Sequence, residues 1–413
     1  MKSMDLVLDD VFGEQVGKTD QLFGQYEKLY GLPIVPFQAQ IPEGLLDYVA
    51  KRKNFVSVLL YDNDGNVYMD PTIADTLYFG LPGGGIRNNE TVQNTITRVA
   101  KSVHPQLLIG DVEPLARIEN RFTHGEDTYT QDGLAFAGRV RNKSMIKQSE
   151  FEGSFVRVTQ KDLESIKRLS SRQVVELFNK RFSEIQQRSG SDFQDEEIST
   201  NEKYKKRYII HNNLVKKFVL TDERKKKSEF RDIIAGSIGK DTQSIIDVSC
   251  GEDSFIPDLG KSMGIPLIVG NDISWSQIEL LNQKHDDVLF TNHNGTALPF
   301  VENAFDVSYC ANTLHHMPNR QALLSLLESM FHVSKKMILT EIEDPKEIGG
   351  FPHWLNKNWF MGYLKDVGGA YLKEGDFQSI VHNLFKGRAD VKLQNFKNIM
   401  GKYMIATITK DRG

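Results

Sequence analysis

Cysteine is almost missing from this chain, which has two in 413 residues. Cys250 and Cys310 both lie in or beside apolar runs, the pattern of reduced thiols in a reducing compartment, and this excludes a disulfide framework. No stretch reaches the roughly 18 consecutive apolar residues that a membrane-spanning helix needs. The opening "MKSMDLVLDDVFGEQ" has acids where a secretory leader needs a basic start and an apolar run. An excess of either charge is also lacking: 51 Lys and Arg against 55 Asp and Glu leave a net charge of -4. Bulk charge therefore names neither nucleic acid nor a membrane as partner. There is no internal repeat and no low-complexity tract. With 39% apolar and 26% charged residues, the expectation is an ordinary globular protein, soluble and cytoplasmic.

At this length two domains are expected. The most polar stretch, "EIQQRSGSDFQDEEISTNEKYKKR", lacks apolar periodicity. It sets a first domain at 1–188, a linker at 189–204 and a second domain at 205–413. Before the linker, strand-like runs ("NFVSVLLYDNDGNVYM", "LARIENRF", "DGLAFAGRV") accompany a helical stretch at 90–103 and a helical end, "SSRQVVELFNKRF", an α+β pattern. After it, "SIIDVSC", "LIVGNDI", "AFDVSYCA" and "KKMILTEI" alternate with "FIPDLGKSM", "WSQIELLNQK" and "RQALLSLLESMFHV". That alternation predicts an α/β fold with a parallel, doubly wound sheet covered by helices on both faces.

In "IIDVSCGEDSFIPDL" a buried strand breaks at a small-residue turn and restarts as a helix. Alone, the turn reads better as a strand end followed by a capped helix. In a doubly wound sheet, however, ligands sit beyond the carboxyl ends of the strands, and the first turn must let backbone come close. Gly251 permits that approach, and Asp272 ends the next strand about 20 residues on, where an acid accepts hydrogen bonds from ribose hydroxyls. The third strand leads into "TNHNGTALPF" and the fourth, "AFDVSYCANTLHHM", ends in polar residues. The G-x-G-x-x-G spacing of dinucleotide sites is missing.

Taken in order, "DVSCGEDS", "NDIS", "LPFVENAFDVSYCANTLHHM" and "LTEIEDP" resemble the class I S-adenosylmethionine-dependent methyltransferases, most closely the ubiquinone-type and small-molecule branch. The likeness covers roughly residues 205 to 410. It implies a Rossmann-like sheet with S-adenosyl-L-methionine as cofactor. By that likeness Asp247 and Gly251, with Ser249 between them, line the methionine end. Asp272, with Ile273 beside it, holds the ribose. Asn294, followed by Gly295, stands where the family often has an adenine-contacting Asp, and Cys310 to Asn312 close the pocket floor. The family usually has glycine where this chain has Ser249 and Asp253. An Asp at the latter position either repels the cofactor carboxylate or caps the next helix.

Methyl transfer from a sulfonium depends on in-line alignment more than on a strong base. His315 and His316, after the fourth strand, are the candidate catalytic residues, able to take a proton from a hydroxyl or amine; a structural hydrogen bond at a helix start is the other reading. Glu341 and Asp344 are weaker candidates. Trp354, Trp359, Phe360 and Tyr363 lie in an insertion that forms either a substrate lid or helix packing.

In the first half, "LPGGGIRNNETVQNTITRVAKSV" resembles the Nudix signature, with Gly84, Glu90 and Arg98 at the family spacing and a degenerate box at 84–106. The likeness extends over roughly residues 50 to 180. In that family glutamates after the arginine hold magnesium, which requires oxygen ligands. Here those positions are Val99, Ser102 and Val103, so a hydrolytically inactive Nudix-like domain without a metal is expected. Glu119, Glu126 and Asp127 are the carboxylates elsewhere in this half that offer replacement ligands.

"RKKKSEFR" and "KYKKR" give the second half a basic start, read as a solvated helix face and not as a nucleic-acid platform. The expected function is methylation of a small-molecule acceptor, with no membrane or nucleic-acid partner and the first domain acting in recognition or assembly. The alternatives are a Nudix-type nucleoside diphosphate hydrolase and a non-catalytic protein with two binding modules.

Overall fold

The computed structural model describes residues 16–41, 53–69, 81–87, 90–142, 154–156, 169–189, 222–251, 254–285, 287–355, 371–398 and 401–411, with Glu43, Leu46, Val49, Ile146, Val158, Leu163 and Lys357 singly. Asp253, the expected linker beyond Ser189, "KYKKR", and Trp359, Phe360 and Tyr363 lie outside the described residues. The chain divides into two compact units, Met1–Ile185 and Gln186–Gly413. Among the described residues no helix is long and apolar enough to cross a membrane.

The first unit opens with α1 (Val16–Tyr30) and β1 (Ile34–Gln40). Strands β2 (Asn54–Tyr61), β3 (Val67–Met69) and β4 (Gly83–Gly85) follow, then α2 (Val92–Val103). A long hairpin of β5 (Ile109–His124) and β6 (Asp127–Val140) precedes β7 (Ser154–Val156) and α3 (Leu169–Ser189). The sheet runs β1-β5-β6-β2-β3-β7, with β4 also on β2. It is mixed: β1 runs parallel to β5 and β2 parallel to β6, while the hairpin is antiparallel. Gly125 makes the hairpin turn possible, because its φ of 58° is one that side-chain-bearing residues rarely adopt.

Strand alternation sends neighbouring residues to opposite faces. Ala135 and Ala137 join Leu59, Tyr61 and the α3 residues Val174, Phe178 and Ile185 in one core. Between them Phe136 points the other way, where Tyr26 of α1 meets it edge-on at 5.7 Å. Helix α2 lies on β2 and buries Val92, Ile96 and Val99.

The second unit comprises α4 (Asp222–Ile238), β8 (Ser244–Val248), α5 (Ile256–Ser262), β9 (Leu267–Asn271) and α6 (Trp275–Lys284). Then come β10 (Leu289–Thr291), β11 (Phe305–Ala311), α7 (Arg320–Val333) and β12 (Ser334–Ile342). The short helices α8 (Pro345–Ile348) and α9 (Gly350–Leu355) lead on to α10 (Glu374–Phe385) and a closing hairpin of β13 (Ala389–Asn398) and β14 (Gly401–Lys410). The sheet order is β10-β9-β8-β11-β12-β14-β13. Its first five strands are parallel and its last two antiparallel. The four strands and three helices expected from alternation are present. The third strand, expected to lead into "TNHNGTALPF", is the three-residue β10; the antiparallel pair is an addition, and the hairpin separates this sheet from the 3-2-1-4-5-6 order of dinucleotide folds.

Ile245, Ile268, Tyr309 and Ile338 form one core with Ile234 and Ile238 of α4 and Ile278 and Leu281 of α6. Lys336 on β12 reaches back to α4 and donates from Nζ to Ser237 O at 3.0 Å and Ile238 O at 2.9 Å, a cation on carbonyls that the helix leaves without partners.

Gly270 of β9 packs closely on β10: a Cβ there would lie 2.6 Å from the Phe290 ring and 3.3 Å from Cys250 Sγ. Gly270→Ala is expected to destabilise the second unit by about 1–3 kcal/mol through overpacking, read by thermal melting. An unchanged melting temperature would show that this contact is slack.

Candidate functional site

The carboxyl ends of β8, β9 and β11 collect most of the polar residues singled out from sequence. At the end of β8, Ser249 has a φ of 60° and Gly251 a φ of 56°. Such a left-handed Ser carries a steric cost that Gly avoids. A side chain built on Gly251 would meet nothing within 4 Å, so its backbone borders open space. The next turn is closed by Asp272: Oδ2 accepts the Gly251 N–H at 2.9 Å and Oδ1 the Ser274 N–H at 2.8 Å. One carboxylate thus ties the β8 turn to the start of α6, and each oxygen keeps acceptor capacity for another donor.

Asp247 is 3% exposed and accepts a hydrogen bond from Ser254 Oγ. Burial pushes its carboxyl up to about 7; the Ser254 hydrogen bond opposes this and the Asp272 charge adds to it. Burial also raises Asp272, against the Ser274 and Gly251 N–H donors. Two acids held close in a region of low polarity disfavour a second negative charge and favour a cation. The Cys250 and Cys310 thiols are raised too, by burial first and then by the same carboxylates, so neither is suited to act as a nucleophile.

Asn294 turns its amide inward on its own chain, Oδ1 accepting from Thr296 N at 3.0 Å and Thr296 Oγ1 at 2.9 Å. Gly295 packs where a Cβ would come within 2.8 Å of Leu326, 3.1 Å of Val248 and 4.0 Å of Ser249 Oγ. The β10 loop is therefore drawn against the end of β8. Ile273 follows Asp272, and its carbonyl and that of Asp272 both accept from Asn292 Nδ2, at 2.8 and 2.7 Å. Cys310 pairs with Val248 across the β8–β11 ladder. Asn312, at a φ of 50°, donates its N–H to Thr340 O at 2.8 Å. Asn292 and Ser254 were missed from sequence: each acts on a partner set by strand register or loop closure, and neither carries a spacing signal.

His315 and His316 lie just past β11. His315 is buried, with Nδ1 2.7 Å from Oε1 of the fully buried Glu341, and its ring stacks on Tyr371 at 4.6 Å and 15°. His316 is exposed. Asp344 caps α8 through Lys346 N at 2.9 Å. Trp354 is 56% exposed, so it does not serve as sheet packing.

The first unit's glycine-rich segment is also ordered. Glu90 accepts from Arg98 Nε at 2.7 Å, Arg98 Nη2 at 2.8 Å and Arg87 N at 3.1 Å. Arg98 Nη2 also donates to Gly85 O at 2.7 Å. Although burial opposes ionisation, these bonds hold the Glu90 carboxyl below its ordinary value. Val99, next after Arg98, is buried, and Ser102 Oγ donates to Val99 O at 2.6 Å. Glu119 lies 3.6 Å from Arg117. Glu126 and Asp127 sit at the tip of the β5–β6 hairpin. Among the described residues no His, Cys, Asp and Glu cluster could hold a metal.

Ser249→Gly is expected to raise stability by about 0.5–1 kcal/mol, the left-handed strain relieved being partly offset by the greater freedom of glycine in the unfolded chain. A lower melting temperature in that variant would show that the Ser249 side chain contributes more than its backbone costs.

Residues 246–334 match a family model described as a methyltransferase domain. No curated protein matches the chain. Among solved structures, magnesium protoporphyrin IX methyltransferase from Synechocystis PCC 6803 is 19% identical, over 47% of this chain and 88% of that one, with a TM-score of 0.36. The methyltransferase domain of bacterial CtHen1 is 11% identical over 45% and 100%, also at 0.36. The YcgJ protein from Bacillus subtilis is 10% identical over 44% and 98%, at 0.35. Likenesses this distant transfer no substrate. The second unit, with its Rossmann-like sheet, thus carries the stretch that matches a methyltransferase domain.

Proposed function

We propose that the second unit methylates a small-molecule acceptor and that the first is a hydrolytically inactive Nudix-like module serving recognition or assembly. The observation that carries the first half of this reading is the open cradle at Gly251, set between the buried carboxylates Asp247 and Asp272. An anionic, dry pocket of this kind fits a ligand with a cationic amino-acid end and a diol. When bound, S-adenosylmethionine supplies an electrophilic methyl group on a sulfonium. Asp247 meets the ammonium and Asp272 accepts from the ribose hydroxyls through its remaining lone pairs. Ile273, Asn294 and Gly295 flank the adenine side, Ser249 and Gly251 line the methionine side, and Cys310 to Asn312 form the floor. His315 and His316 stand toward the acceptor, with His315 the better built of the two.

For the first unit, the Glu90–Arg98–Gly85 bonds support a Nudix-like loop and helix, and Val99, Ser102 and Val103 support the loss of magnesium. Valine offers no ligand and one hydroxyl does not replace several carboxylates. Incubation of the full chain with nucleoside diphosphate derivatives and magnesium is expected to release neither phosphate nor nucleoside monophosphate. Release of either would restore the hydrolase reading.

The Asp247 carboxyl, at about 7 before binding, must lose its proton to pair with a cation. Affinity for S-adenosylmethionine therefore falls as pH drops below that value, roughly five- to tenfold between pH 7 and pH 6. Calorimetric titration should show this in the native chain, and a weaker, pH-independent affinity in Asp247→Asn. The absence of any binding heat in the native chain would sink the reading; an unaltered pH dependence in the variant would remove Asp247 from the pocket.

A further inference from the structure

Asn294 caps the turn that follows β10. Its Oδ1 accepts the Thr296 N–H at 3.0 Å and the Thr296 hydroxyl at 2.9 Å. A backbone N–H only donates, so the amide has one orientation: its oxygen faces the turn and its NH2 group faces away. Among the described residues nothing accepts from that NH2 group, and the residue is half-buried.

The loop brings this donor to the ligand edge of the sheet. Just before it, Asn292 Nδ2 holds the Asp272 and Ile273 carbonyls after β9, at 2.7 and 2.8 Å. Just after it, a Cβ on Gly295 would lie 3.1 Å from Val248 and 4.0 Å from Ser249 Oγ, at the end of β8. Asn294 is thus bracketed by contacts to the connections after β9 and β8, where an open α/β sheet takes its ligand. Behind the loop, the Leu298 N–H donates to Ser329 Oγ of α7 at 2.8 Å, so the donor stands on a fixed support.

We infer that Asn294 sets which edge of the cofactor's nucleobase this site reads: it offers a donor and no acceptor, and therefore takes a ring nitrogen or a 6-oxo group and not the 6-amino group. This rests on the methyl-transfer reading above. A carboxylate capping the same turn would spend one oxygen on Thr296 and keep the other for an amine. The amide has a single oxygen, and the turn consumes it. On adenine the 6-amino group donates while the ring nitrogens accept, and in a 6-oxo purine the amine is replaced by an acceptor. Asn294 and a 6-amino group would meet as two donors, which make no hydrogen bond. Strong rejection of a ligand that lacks an N–H arises where the site holds an acceptor for it, and at Asn294 that acceptor is withdrawn. The base with a 6-oxo group in place of the amine is accordingly accepted as well as adenine.

The test is calorimetric titration of the full chain with S-adenosyl-L-homocysteine and with its deaminated counterpart, S-inosyl-L-homocysteine. In the native protein the inosyl form is expected to bind within about threefold of the adenosyl form, or more tightly. Asn294→Asp retains an oxygen for Thr296 and turns a second one toward the base. The ratio of affinities is then expected to move toward the adenosyl form by about tenfold, because the carboxylate accepts from the amine and repels the 6-oxo group. A melting temperature close to that of the native chain checks that the turn is intact. A native preference for the adenosyl form beyond about threefold would overturn the proposal, as would a ratio that moves by less than that in Asn294→Asp. Binding of neither compound by the native chain would overturn the methyl-transfer reading itself, and the assignment with it. Should Asn294→Asp not fold, the native ratio decides alone.

Discussion

The site depends on one buried carboxylate that answers to two strands at once. Asp272 receives the Gly251 N–H from the turn after β8 and the Ser274 N–H from the start of α6, so the glycine turn and the second strand end cannot move independently. Ligand pockets in open α/β sheets form where neighbouring connections diverge, and divergence leaves backbone donors unpaired. Here an acidic side chain pairs them. The buried positions around it, from Asp247 to Asn292, are arranged so that these polar groups are satisfied within the protein.

The two units treat charge in opposite ways. In the second, acids are kept in a low-dielectric region at a cost, and Asp247 stays half-protonated near neutrality. In the first, Glu90 and Arg98 are fully engaged with each other and with the glycine loop, and the helix face beyond them has turned apolar at Val99. One unit keeps buried carboxylates on neutral donors, and the other pairs its buried acids with arginines, as Asp111 with Arg139 and Glu113 with Arg181.

What could be seen in the sequence, and what could not, follows from range. The strands from β8 to β12 were legible because parallel strands are apolar on both faces and read as short continuous runs. Gly251 and Asp272 were legible because their spacing is local to a strand, a turn and a helix. The Asn294 amide oxygen is spent on Thr296, which no spacing announces. Ser254, Asn292 and the partnership of Glu341 with His315 depend on which strands are neighbours, and the last joins residues 26 positions apart. The β13–β14 hairpin escaped notice because "VKLQNFKN" has the mixed polarity of an edge strand rather than a buried run.

Lys336 holds the last carbonyls of α4 from the fifth of seven strands, and that strand has a ladder on either side. Tension entering through the preceding polypeptide therefore reaches the interior of the sheet before it reaches a border. Ladders on both sides of β12 then share the load in shear, whereas a helix anchored to β10 or β13 would let the same force unzip a rim one bond at a time.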